Sequence, residues 1–285
     1  MKIAVIQMNS VSDKADNIAQ ASSLIERAVD LEGPDWLLLP EHWNWAGGST
    51  ADKIANSDEI PGGPAYAAAQ ELAARHKVWI HAGSLLERVK GEDKVYNTTV
   101  VFDRSGKEVA RYRKIHLFDI TAPDGTPYKE SASVKPGREV VTYDCEGVTV
   151  GCAICYDLRF PELFQALVAR GSQVIALPAA FTLQTGKDHW EVLCRARAIE
   201  TETYFIASGQ TGAFTAGGGD KRFTYGHSLV ADPWGHVVAK ASDGVGFITT
   251  RLDPAYVEKC RRQIPVAEHK VIGRDMEPVA FGKAA

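Results

Sequence analysis

Short apolar, β-branched runs recur along the chain at 2–8, 35–40, 77–83, 97–103, 148–155, 172–178, 203–209, 226–232 and 245–252. Each has the length of a strand and is too short for most helices. Between several of them the apolar spacing changes. Ile18, Ala21, Ile25 and Ala28 fall on one face of a helix over 15–30, and 65–77 and 162–170 repeat the pattern. A fourth helix, over 188–201, turns Trp190, Leu193 and Ala198 inward. This alternation predicts βαβ units around a parallel core, and turn-marked runs at 102–112 and 230–240 add antiparallel hairpins. Strands covered by helices on one side and by another sheet on the other stack as an α/β fold, a four-layer α-β-β-α sandwich. No linker, low-complexity segment or short repeat divides the chain. A single domain over 1–263 is expected, followed by a tail over 264–285 lying along the surface or a partner chain.

Composition narrows the function without naming it. The 285 residues are 45% hydrophobic and 24% charged, enough for an ordinary core. A formal charge of −4 supplies no basic field for nucleic acid or anionic lipid. No apolar run approaches the roughly 20 residues of a membrane helix, and the N-terminal run is too short for a signal peptide. Five cysteines, an odd number, are expected to be reduced thiols in the cytoplasm.

The stretch GCAICYDLRFPEL, residues 151–163, holds two of them in C-x-x-C spacing. A structural zinc site needs four ligands, usually as two pairs; Cys145, Cys194 and Cys260 stand alone, so no metal is expected. A redox pair is disfavoured because, in a strand continuing to 155, Cys152 and Cys155 point to opposite faces. Cys152 reads as a small buried apolar residue. Cys155 lies where the strand ends and a helix starts near Pro161, a place whose backbone N–H groups and helix dipole favour thiolate. Glu41 follows the apolar run DWLLLP, where desolvation is expected to raise its pKa. Lys114 sits in a basic-aromatic patch, ARYRKIHLFD. Taken one at a time, each of these charges is as well explained by a solvated surface position.

Together, LLLPE, RKIHLFD and ICYDLRFPEL resemble the Glu-Lys-Cys signature of the nitrilase superfamily, the carbon–nitrogen hydrolases, with the likeness spread over roughly residues 1–270. RYRKIHLFDI, KESASVKPG, CYDLRFPEL and the block from TGKDHWEVLCRARAIE to YGHSLVADPWG are similar to the Nit branch of omega-amidases and deaminated-glutathione amidases. The resemblance implies a sandwich that pairs into an α-β-β-α-α-β-β-α homodimer. It implies Glu41 as general base, Lys114 as oxyanion stabiliser, Cys155 as nucleophile and Glu130 as a second carboxylate that positions the lysine. It also implies an acyl-transfer mechanism through a thioester, with the backbone N–H of Tyr156 sharing the oxyanion and no cofactor required. Arg159 is expected to clamp a substrate carboxylate, the alternative being an ion pair with Glu162 or Asp157. In the loop HWNWAGGST, where relatives commonly differ, His42, Trp43 and Trp45 are expected on the pocket wall. His189 and Trp190 border the site by resemblance and are helix-start packing residues by pattern. The expected partner is a small carboxylate-bearing amide, cleaved to an acid and ammonia. Rival readings are a nitrilase or an N-carbamoyl amino acid hydrolase on the same fold, which commonly has two adjacent arginines where this chain has Arg159 alone. Further rivals are a non-catalytic binding module and a redox protein.

Overall fold

Alternation along the first strand, Lys2–Gln7, decides the layering. Ile3 and Val5 face one apolar cluster with Val148, Val150 and Cys152, while Ala4 and Ile6 face another with Ala21, Leu24, Ile25 and Ala28. One side of this sheet therefore meets a second sheet and the other meets helices. The computed structural model describes residues 1–272. Among them are seven helices: α1 Lys14–Glu32, α2 Thr50–Ala55, α3 Pro64–His76, α4 Pro161–Ala169, α5 Leu183–Thr201, α6 Pro254–Gln263 and α7 Val266–His269. The first sheet has nine strands and is covered by α1 and α3; the second has six and is covered by α4 and α5. The four layers are α-β-β-α, as expected.

Local signals explain the edges of the elements. Asp13 caps α1 by accepting from the Asp16 N–H at 3.0 Å. Gly33, at φ 55°, ends the same helix by donating to Val29 O at 2.9 Å. Pro64, Pro161 and Pro254 stand at the first positions of α3, α4 and α6.

The parallel strands carry their ends to a common edge, where ligands of α/β sheets usually bind. In the first sheet, Trp36–Leu38 runs parallel to Lys2–Gln7 and Trp79–His81, and leads into Glu41. In the second, Val148–Cys152, Val174–Ala179 and Tyr204–Gly209 are parallel and lead toward Cys155, Phe181 and Gln210. The hairpins expected at 102–112 and 230–240 are the antiparallel pairs Val95–Phe102 with Glu108–Arg113 and Leu229–Ala231 with Val237–Lys240.

Several boundaries differ from the pattern reading. The strand expected over 148–155 stops at Cys152, because Cys155 opens a 3-10 turn, Cys155–Arg159. The helix expected from 188 begins at Leu183, capped by Thr182. The hairpin Thr211–Thr215 with Lys221–Tyr225 was not anticipated. Gln263 does end α6, but the tail beyond it includes α7. The rest of the expected tail, 273–285, lies outside the described residues.

Candidate active site

Glu41, Lys114, Glu130, Cys155, Tyr156 and Arg159 line one cavity of about 480 Å³. Glu41 reaches it from the end of a buried strand and is 2% exposed. Gly83 makes that approach possible: at φ 48°, any Cβ there would lie 2.0 Å from Pro40 O, one residue before Glu41. Gln210 Nε2 donates to Glu41 O at 2.9 Å and Asn97 Nδ2 to Glu41 Oε1 at 2.8 Å.

Lys114 follows the strand Glu108–Arg113 and is 2% exposed. Its Nζ donates to Glu41 Oε1 at 3.1 Å and to Glu130 Oε2 and Oε1 at 2.8 and 3.1 Å. Glu130 is fixed in turn by the Phe118 N–H, 2.7 Å from its Oε2. A buried ion pair is tolerated only where its remaining donors and acceptors are matched, and these hydrogen bonds provide that matching. The ligand atoms of Glu41, His42 and Glu130 lie within 4.8 Å of one another, the spacing of a metal site. The Lys114 ammonium, however, already bonds both carboxylates where a cation would have to sit.

Cys155 has φ 49°, a left-handed conformation unusual for a residue with a side chain. The turn is held from below by Asp157, which is fully buried. Its Oδ2 accepts from Ile154 N–H at 2.9 Å and Tyr112 Oη at 2.7 Å; its Oδ1 accepts from His116 N–H at 3.1 Å and lies 2.7 Å from His116 Nδ1. One carboxylate thus ties the turn carrying Cys155 to the segment carrying Lys114. The turn's first hydrogen bond is donated by Asp157 N–H to Ile154 O, so the Tyr156 N–H precedes the bonded part of the turn.

The electrostatics reverse two expectations. Burial pushes the Glu41 carboxyl up, but the Lys114 ammonium, with His42 and hydrogen bonds from Cys155 and Lys114, outweighs it and holds the pKa at about 2. Burial pushes the Cys155 thiol up, and the Glu41 carboxylate adds to this more than Lys114 relieves it. The resting pair is therefore a carboxylate beside a neutral thiol, not a raised carboxyl beside a thiolate. Burial also opposes charge on Lys114, but Glu130 and Glu41 hold its pKa well above the ordinary lysine value. Burial lowers the pKa of His42, whose Nε2 lies 3.4 Å from Asn97 Nδ2.

Not every residue expected at the pocket is there. His42 has φ 54°, which turns the chain so that His42 and Trp45 line the cavity and Trp43 does not. Trp43 is 1% exposed, packs in the cluster under α1 and α3, and donates from Nε1 to Ala82 O at 2.8 Å. Trp190 is also a core residue: its indole packs on Phe181, a lining residue, with centroids 4.9 Å apart, and donates to His227 O at 2.8 Å. His189 is exposed and off the cavity wall, with Nδ1 3.3 Å from Arg159 Nη2. Arg159 also lies over the Phe181 ring at 5.5 Å. It makes no salt bridge among the described residues, so the alternative ion pair with Glu162 or Asp157 is not formed. All five cysteines are free, and Cys152 is fully buried, which removes the disulfide reading. Asn97, Gln210 and Asp157 escaped the sequence reading. For Asn97 the signal was present, a polar side chain inside the apolar strand VYNTTVVF.

The model of the carbon–nitrogen hydrolase family matches residues 2–262. A Synechocystis protein named deaminated glutathione amidase is 40% identical over 272 residues, covering 94% of this chain and 97% of that one. A Homo sapiens protein of the same name is 38% identical over 274 residues, covering 94% and 81%. The crystal structure of Nit3 from Saccharomyces cerevisiae, a member of branch 10 of the nitrilase superfamily, matches with a TM-score of 0.83 at 32% identity, covering 93% of this chain and 94% of that one. A match of this extent, over a cavity holding a glutamate, a lysine and a cysteine in mutual reach, places the chain in the carbon–nitrogen hydrolase family.

Proposed function

We propose that this hydrolase is an amidase that cleaves a carboxylate-bearing amide, of the deaminated-glutathione kind, to an acid and its amine component through a thioester on Cys155. The observation that carries the reading is a single cavity lined by Cys155, Glu41 and Lys114, with Lys114 Nζ donating to the Glu41 carboxylate at 3.1 Å. As the Cys155 sulfur attacks the carbonyl carbon, its proton passes to Glu41 and the carbonyl oxygen becomes an oxyanion. Lys114 Nζ and the Tyr156 N–H stabilise that oxyanion. A carboxyl with a pKa of about 2 is a weak base at rest, but the growing oxyanion competes for the Lys114 charge and so strengthens it. Glu41 then gives its proton to the departing nitrogen as the C–N bond breaks. In the second half it takes a proton from water, and the C–S bond breaks with that proton returned to sulfur. Glu130 keeps the ammonium in place throughout. Arg159, with no carboxylate of its own, is suited to a carboxylate on the acyl side.

The test is a mass measurement on protein incubated with a slowly deacylated amide. A single acyl adduct on the peptide holding Cys155, with Cys155→Ala inactive and Cys152→Ala active, is expected. An adduct on Cys152, Cys194 or Cys260 instead would remove the reading.

Features of the surface support a paired assembly. Val192 and Ile199 on α5 are 67% and 50% exposed, and the turn at Gly235 lies against Ile199 beside the exposed Trp234. Apolar exposure grouped in this way suits a second copy of the chain, and a homodimer through α5 is the proposed form. Five free thiols fit a reducing cytoplasm, and no helix among the described residues is long and apolar enough to cross a membrane.

A further inference from the structure

Glu41 enters the cavity one residue before a left-handed turn, His42 at φ 54°. A residue with a side chain keeps such a conformation only where its surroundings over-determine it. Three hydrogen bonds on consecutive residues do so here. Gln210 Nε2 donates to Glu41 O at 2.9 Å, the His42 N–H to Ser84 Oγ at 3.0 Å, and Ser10 Oγ to Trp43 O at 3.1 Å. Two of the three act as one unit. The Ser10 N–H donates to Gln210 Oε1 at 2.9 Å, and Gln210 Nε2 donates to Ser10 Oγ at 2.7 Å. Both residues are buried, and together they grip the chain on either side of the turn.

Gln210 belongs to the other sheet. It directly follows Tyr204–Gly209 of the second sheet, whereas Ser10 lies just beyond Lys2–Gln7 of the first. The two strand ends meet: Met8 and Gln210 form a parallel bridge, and the Thr211 N–H donates to Met8 O at 2.7 Å. The Gln210 N–H donates to Ala179 O at 2.9 Å, at the end of Val174–Ala179, the strand paired with Val148–Cys152 that leads to Cys155. Its main chain is thus anchored in the sheet of the nucleophile while its side chain holds the backbone of the base. Proton transfer works only over about 2.6–3.2 Å between heavy atoms. A base from one sheet and a thiol from the other therefore need a fixed register between the sheets.

We propose that Gln210, with Ser10, is a positioning residue that sets Glu41 against Cys155 across the two sheets. It touches neither the thiol nor the carboxylate and acts through the Glu41 main chain. The proposal rests on the amidase reading with Glu41 as base.

Alkylation of Cys155 by iodoacetamide tests the geometry without amide turnover. The sulfur forms a bond to carbon, iodide leaves, and the thiol proton passes to Glu41. The rate is followed by mass on the peptide holding Cys155, below the melting temperature of every variant, with Glu41→Gln as the slow reference. Gln210→Met, of similar volume but without donor or acceptor, is expected to lose about tenfold in both alkylation rate and kcat with KM changed less, as for one lost hydrogen bond. Ser10→Ala, which deletes one hydroxyl, is expected to lose about threefold and carries the test if Gln210→Met does not fold. Ser208→Ala removes another hydrogen bond between the sheets, from Ser208 Oγ to Ile6 O. It should lower the melting temperature and leave both rates unchanged. Native rates in Gln210→Met and Ser10→Ala, beside a slow Glu41→Gln, overturn the positioning role alone. An equal loss in Ser208→Ala also overturns it, since any tie between the sheets would then serve. If alkylation follows the expected order but the unsubstituted protein cleaves no amide, the positioning role stands and the amidase reading falls.

Discussion

Glu41 is buried and yet held ionised, and that combination has a pH signature. Its pKa lies at about 2 against an ordinary 4.5, because Lys114 and its hydrogen bonds outweigh burial. A depressed folded-state pKa means stability that is fully present above the unfolded value and is lost as pH falls through the folded one. The difference in unfolding free energy between the native protein and Glu41→Gln should therefore shrink steadily from about pH 5 to about pH 2. Urea unfolding at several pH values measures it, and a constant difference would show that the carboxyl is not held ionised. Glu41, Lys114 and Cys155 were legible in the sequence and Glu130 through the family resemblance, but their protonation was not. Desolvation can be guessed from an apolar run, whereas the ammonium that reverses it comes from 73 positions further along the chain. Trp43 was misplaced for a similar reason. Which of two neighbouring aromatics faces the cavity depends on φ at His42, and residue identity does not reveal a left-handed turn there.

At the scale of an element, the short turn Cys155–Arg159 matters more than the strand before it. Asp157 accepts for Ile154, Tyr112 and His116 together, so it sets the distance between the Cys155 turn and the Lys114 segment. Asp157→Asn keeps the shape but replaces one acceptor with a donor facing donors. The expected cost is about 1–3 kcal/mol of stability, the usual penalty for an unmatched buried group. If Asp157 positions the nucleophile, kcat should fall with KM little changed, since the binding groups are elsewhere. A variant with native melting temperature and kcat would make Asp157 incidental. Strand and helix existence was legible from spacing because core-facing positions repeat. The turn was not, because a hydrogen-bond hub formed by residues 112, 116, 154 and 157 leaves no period in the sequence. The strand Lys221–Tyr225 was equally hidden, being short and only partly buried.

At the scale of the molecule, layering and assembly answer to different parts of the sequence. The four layers follow from faces that are apolar inside one chain, and the pattern predicts them. The pairing of copies depends on what remains apolar outside. Val192 and Ile199 are exposed on α5 although their helix also buries Trp190, Cys194 and Ala198. Sedimentation equilibrium is expected to give twice the chain mass, and Val192→Glu with Ile199→Glu the mass of one chain. An unchanged mass in the double variant would move the interface elsewhere. The site's own charge balance has a consequence for turnover. Glu41 and Glu130 face a single ammonium, while hydrolysis turns an uncharged amide carbonyl into a carboxylate at that spot. The newly made anion finds two like charges beside it where its precursor found none. Inhibition by the acid product should accordingly be weak, and exit from the pocket is driven by repulsion that the reaction itself creates.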